Sequence, residues 1–84
     1  MESIYNIKKG LYRHFKGENK IYEVLGTAMH TETEEELVIY RALYDDKMVK
    51  NGDMFARPIK MFLEEVPKDK KNPTGQKYRF EFIK

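Results

Sequence analysis

The sequence predicts a mainly β domain: a small, strongly bent antiparallel sheet that closes as an SH3-like barrel, with five or six strands and one or two short helical turns. Three observations predict it. Short runs rich in Val, Ile, Tyr and Phe recur between turn residues. The longest run is interrupted by Gly26, where a side-chain-free residue marks a bulge or sharp bend. At 84 residues the chain has few strands to spare, and closure protects edges that a flat sheet of this size would expose.

The elements follow in order. Gly10 and Gly17 bracket Leu11–Lys16, a strand-length run whose alternate faces, Leu11, Arg13, Phe15 and Tyr12, His14, Lys16, are both mixed. Residues 17–20 suit a hairpin connection to a second strand from Ile21 to His30, curved at Gly26. An acidic turn runs to Glu36. Beyond it, residues 37–44 carry large apolar side chains on both alternating faces, which suits a central strand. A helix is the rival there, since Leu37, Tyr40, Arg41 and Tyr44 also fall at helical spacing after a capping-box pattern from Thr33 to Glu36; the Val-Ile-Tyr content favours strand. Residues 45–53, with Asn51-Gly52, form an exposed loop. Met54–Arg57 leads into Pro58, as a short edge strand ending in a turn does. Residues 61–66 fit a helical turn or another strand. Residues 67–77, with two prolines, a glycine and four lysines, form a mobile loop, and Tyr78–Ile83 closes the sheet with Tyr78, Phe80 and Phe82 on one face.

One domain, 1–84, is expected, because a chain this short buries only roughly 60–70% of its unfolded surface and cannot divide that between two cores. Its 40% hydrophobic content still suffices for a compact core despite 36% charged residues. The absence of cysteine excludes disulfides, thiolate zinc sites and cysteine nucleophiles. Nothing staples the fold, so a homodimer is one way to add buried area. The amino-terminal segment lacks the apolar stretch of a signal peptide, and no apolar run approaches the ~18 residues needed to span a bilayer. A cytoplasmic location without membrane partners is therefore expected. The formal charge of +2, from 16 basic and 14 acidic residues, gives no field strong enough to collect nucleic acid unaided.

Four blocks in order, Gly-Leu-Tyr-Arg-His-Phe-Lys-Gly from Gly10, Tyr-Glu-Val-Leu-Gly-Thr-Ala-Met-His-Thr-Glu-Thr from Tyr22, Leu-Val-Ile-Tyr-Arg-Ala-Leu-Tyr from Leu37 and Phe-Ala-Arg-Pro-Ile-Lys-Met-Phe from Phe55, closely resemble the bacterial domain-of-unknown-function family 1653 (DUF1653). The resemblance spans about Gly10 to Val66. One departure stands out: the family pattern has tryptophan before its Val-Arg-Pro, where this chain has Phe55 and Ala56 before Arg57-Pro58. The loop 45–53 also looks longer than is usual in the family. What the resemblance implies is a small stand-alone or appended domain of unestablished activity.

The candidate ligand site is His14, His30, Glu32 and Arg57. In extended chain His30 and Glu32 project to one side, and a neighbouring strand bringing His14 near them would gather donors and an acceptor, with Arg57 adding a planar fork for carboxylate or phosphate. A small anionic ligand or a protein partner is the expected occupant. The bland alternative keeps each histidine as a partly buried hydrogen-bonding side chain and Arg57 as a cap or ion-pair partner. A second candidate is an aromatic surface of Tyr12, Tyr22, Tyr40, Tyr44 and Phe55, set against the use of tyrosines as core walls with wet hydroxyl tips. No metal or other cofactor is expected, because His14, His30 and Glu32 lack the short His-x-x-x-His spacing that fixes two imidazoles on one element. No catalytic residue is expected either: the only serine is Ser3, and no Gly-x-Ser-x-Gly elbow exists. The best overall reading is a non-catalytic binding module. The alternatives are an enzyme or accessory domain using His30 as general acid or base oriented by Glu32, and a nucleic-acid-binding module using Lys8, Lys9, Lys16, Lys68, Lys70 and Lys71, against which the acidic run 32–36 argues.

Overall fold

A computed structural model describes residues 7–84; Ser3 and most of the amino-terminal segment read for a signal peptide lie outside them. Five strands form one antiparallel sheet: β1 (Gly10–His14), β2 (Ile21–Met29), β3 (Glu36–Ala42), β4 (Met54–Pro58) and β5 (Phe80–Phe82), in the order β4-β3-β2-β1-β5. The segment that fits either helix or strand by sequence is strand β3. Its Val38, Tyr40 and Ala42 are buried, and the intervening Leu37 and Ile39 are half-buried on the other face. No helix among the described residues is long and apolar enough to cross a membrane.

The bend falls where the glycine puts it. Val24 pairs with Tyr40, but the next partner of β3 is Gly26 opposite Ile39, so Leu25 is the extra residue of a bulge. Gly26 adopts φ +154°, and Gly10 at the start of β1 adopts φ +137°. The two positions differ in space. A Cβ at Gly26 would meet only the Lys9 side chain at 3.7 Å, whereas at Gly10 it would lie 2.6 Å from the Lys84 carbonyl oxygen. That same carbonyl accepts the Leu11 N–H at 2.8 Å, so it cannot simply retreat. Gly10→Ala is therefore expected to destabilise the domain by about 1–3 kcal/mol, with a smaller loss for Gly26→Ala. Urea unfolding of the two variants checks the order.

The expected closure into an SH3-like barrel is not seen: β4 and β5 are the two edges and do not pair. Pro58 ends β4 without a ladder donor, and the chain turns at once into a short helix, α1 (Ile59–Phe62), two residues earlier than the sequence suggests. This helix spans the gap with side chains. Phe62 stacks on Phe80 of β5, ring centres 4.2 Å apart, and meets Tyr12 and Tyr40 edge-on at 5.5 Å each. Beyond α1 the chain reaches the other edge through a bridge between Glu65 and Tyr78, flanked by Val66 N–H to Lys77 O and Arg79 N–H to Glu64 O. Phe80 and Phe82 share a face, as alternation predicts; Tyr78 lies before the strand and is exposed. The core is Tyr12, Val24, Val38, Tyr40, Ile59, Phe62 and Phe80, with Ile7, Tyr22 and Phe55 packed against it.

Polar ties hold the long loops. In the 45–53 loop, Asp46 Oδ1 accepts the N–H groups of Met48 and Val49, and Asp45 accepts that of Asn51. In the 67–77 loop, the buried Gln76 side chain donates to the Arg13, Tyr78 and Arg79 carbonyls and accepts from Arg13 Nε. From its prolines, glycine and lysines, that loop reads in the sequence as mobile. Gln76 binds it to β1.

Candidate functional site

The inner face of the sheet carries a continuous chain of rings. Register sets Tyr22 opposite Ala42 and Tyr40 opposite Phe55, so side chains of β2, β3 and β4 converge on the concave side. Tyr22 touches Tyr40, Tyr44, Phe55 and Phe80 edge-on, with centres 5.2–6.0 Å apart. Edge-to-face contact is the arrangement that ring quadrupoles favour. Of the five predicted surface aromatics, Tyr22, Tyr40, Tyr44 and Phe55 lie in this chain. Tyr12 stands apart as a core wall against Phe62 and Phe82, its hydroxyl donating to Lys8 O at 2.7 Å.

Arg57 crosses this floor from β4. Its Nε donates to the Tyr40 hydroxyl at 3.3 Å, and its guanidinium carbon lies 5.6 Å from the centre of the Phe80 ring. The two sheet edges, unpaired through their backbones, thus meet through a cation and an aromatic face. No carboxylate pairs with Arg57 among the described residues, whereas Arg13, Lys20, Arg41 and Arg79 each have one within 4 Å.

The groups around Arg57 do not neutralise it. His14, at the end of β1, packs between Phe15 and Phe80, ring centres 4.7 and 4.8 Å away, and its Nδ1 accepts the Lys16 N–H. Burial, reinforced by the positive charges of Lys16, Arg57, Arg79 and Lys20, lowers its pKa to about 4, so it is neutral at pH 7. Tyr22 is pushed well above the ordinary tyrosine value, first by burial and then by its hydroxyl contact with Tyr44 at 2.5 Å. It too stays uncharged. At the rim, Lys20 lies over the Tyr44 ring and is paired with Asp46 at 2.6 Å. That hydrogen bond, with two backbone N–H groups, holds Asp46 down to about 2.

The four predicted ligand residues do not form one site. Residue 14 lies beside Lys20, where the His14 N–H donates to the Lys20 carbonyl, while residue 30 follows Met29 at the far end of the nine-residue β2. Arg57 joins His14, through the charge effect above. His30 instead builds its own turn: its Nδ1 accepts the N–H groups of Glu32 and Thr33 at 3.1 and 3.3 Å, and its backbone bonds to Glu34 and Glu35. Glu32 meets the imidazole through its amide, not its carboxylate. Among the described residues no three His, Asp or Glu side chains gather as metal ligands. Phe80 and Lys20, both absent from the predicted site, complete it. The alternation of Tyr78–Ile83 was the available signal for Phe80, while nothing local marks Lys20.

Fold and site together define a small antiparallel β domain whose inner face sets Arg57, with no carboxylate partner among the described residues, among neutral aromatic and imidazole rings. The chain belongs to DUF1653, a family described as proteins of unknown function, whose model matches residues 10–82 and so includes the last strand. It is also similar to the crystal structure of a DUF1653 protein from Bordetella bronchiseptica, with 31% sequence identity and a TM-score of 0.72 over 93% of this chain and 88% of that one. No curated protein matches it.

Proposed function

We propose that the domain is a non-catalytic binding module that takes a carboxylate or phosphate group of a small ligand or protein partner at Arg57. One observation carries it: the guanidinium of the half-buried Arg57, held by the neutral rings of Tyr40 and Phe80, has no counter-ion among the described residues. A charge so placed loses part of its hydration and regains favourable energy when an anion arrives. Its planar fork suits a two-oxygen acceptor. The aromatic floor supplies apolar contact for whatever carries that group. An SH3-like arrangement belongs to this proposal, supported by the bend at Gly26 and by α1 drawing the two sheet edges round one aromatic face. So does the cytoplasmic setting expected from the sequence.

The enzyme alternative draws no support from the His30 turn, where Nδ1 is occupied by backbone donors. Arg57→Met tests the binding proposal, because it keeps the apolar stem and removes the charge. In a thermal-shift screen of carboxylates and phosphate esters, compounds that raise the melting temperature of the parent are expected to lose that effect in the variant. The unliganded variant should melt at or slightly above the parent temperature, since the charge it removes contributes function rather than stability. Equal shifts in both proteins would place binding elsewhere.

A further inference from the structure

We infer that a second anion site lies between the turn after β1 and the 67–77 loop, where a cavity of about 340 Å³ is lined by Phe15, Lys16, Lys70, Lys71 and Pro73. It shares no residue with the Arg57 site. Its ligand class is a nucleotide, bound through its phosphates.

The argument starts from the loop. Three of its side chains fasten it. Gln76 is buried against β1, Thr74 Oγ1 reaches the Phe15 carbonyl at 3.4 Å, and Asn72 Nδ2 donates to the Gln76 carbonyl at 2.6 Å. Backbone bonds from Lys70 N–H to Pro67 O and from Gly75 N–H to Asn72 O hold its internal turns. Lys70 and Lys71 thereby line the same cavity as Lys16, which comes from a different part of the chain. None of the three has a carboxylate within 4 Å among the described residues. Like charges around one space repel, and a multiply charged anion entering it converts that repulsion into attraction. Lysine ammoniums suit phosphate because they act as rotatable point charges. The remaining lining residues are the exposed Pro73 and the buried Phe15, so the cavity combines three lysines with apolar lining. That combination matches a phosphate joined to a sugar and base, and the volume lies within the range of small-molecule pockets, roughly 300–1,000 Å³.

The nucleotide could be free or part of a single strand, and amide-resolved NMR titration of the intact chain at low salt separates the sources, using ATP in one arm and a short oligothymidylate in the other. Saturable shifts at Lys16, Lys70, Lys71 and Thr74 are expected. The tighter ligand identifies the source. The double variant Lys70→Glu/Lys71→Glu, at two exposed positions, should weaken binding by about tenfold or more, and Lys16→Gln should weaken it from the turn after β1 without changing the loop's sequence. Thermal melts of each variant confirm folding. Absence of shifts at these residues with both probes, shifts confined to the Arg57 face, or unchanged affinity in the folded variants would overturn the inference.

Discussion

Phe62→Ala is expected to destabilise the domain by about 3–5 kcal/mol, the largest loss any single truncation should produce here. A domain of this length has a total stability on the order of 4–13 kcal/mol, so the variant should lose about a quarter or more of it and melt well below the parent. Position explains the size of the effect. Phe62 is 1% exposed and touches rings from β1, β3 and β5 at once. Because β4 and β5 do not pair, this side chain takes over part of the task that ladder hydrogen bonds perform in a closed barrel. Its loss opens a cavity where α1 packs against the rings of β1, β3 and β5, and the four-residue α1 has too few turns to persist without packing. Phe62→Leu keeps apolar volume at the position and should lose much less. Urea titration of both variants measures the difference. Near-equal losses for leucine and alanine would mean that the ring stacking, rather than filled volume, holds α1 in place.

Much of this fold is legible in the chain because its signals are local. Glycines bracket the first strand, Gly26 marks the bulge, Asn51-Gly52 marks the 45–53 loop, and Pro58 stops the fourth strand. Closure was not legible. It depends on whether two edges 22 residues apart in sequence, Pro58 and Phe80, meet through backbone or through side chains, and neither segment encodes that by itself. The histidines teach a different lesson. Each sits at a strand end, which suggested a shared site, yet in an antiparallel hairpin the end of one strand adjoins the start of the next. His14 had therefore to lie near Lys20 and away from residue 30, and the connectivity already contained that answer. Arg57 reads in the sequence as a planar fork at a strand end, but its contact with Phe80 is not legible there, since that contact joins the two edges of the sheet.

Acid should weaken the domain through His14 before most carboxylate partnerships are lost. Its pKa is about 4 in the folded chain against 6.5 ordinarily, with burial as the main cause. Between those values the unfolded chain binds a proton at this residue and the folded chain does not, so protons favour unfolding there. The stability contribution is fully present above pH 6.5 and is lost progressively as pH falls to about 4. That interval corresponds to about 3 kcal/mol, at about 1.36 kcal/mol per pH unit. Asp46 acts lower: its depressed pKa of about 2 makes its contribution fall away below the ordinary value of 3.8, outside the histidine window. The charged groups acting on His14 are Lys16, Arg57, Arg79 and Lys20, all cationic. His14→Asn separates the effect from general acid sensitivity, because its side-chain oxygen can still accept the Lys16 N–H while it takes up no proton. The variant should be less stable than the parent at pH 7, having lost the ring between Phe15 and Phe80. Its urea midpoint should nevertheless fall less between pH 6.5 and 4, so that the two stability curves converge towards acid. NMR titration of the imidazole gives the direct check, with a midpoint near pH 4 in the parent. Parallel curves, or a midpoint near 6.5, would mean that the ring is far better hydrated than its packing implies, and Arg57 would then share its face with a second cation at mildly acidic pH.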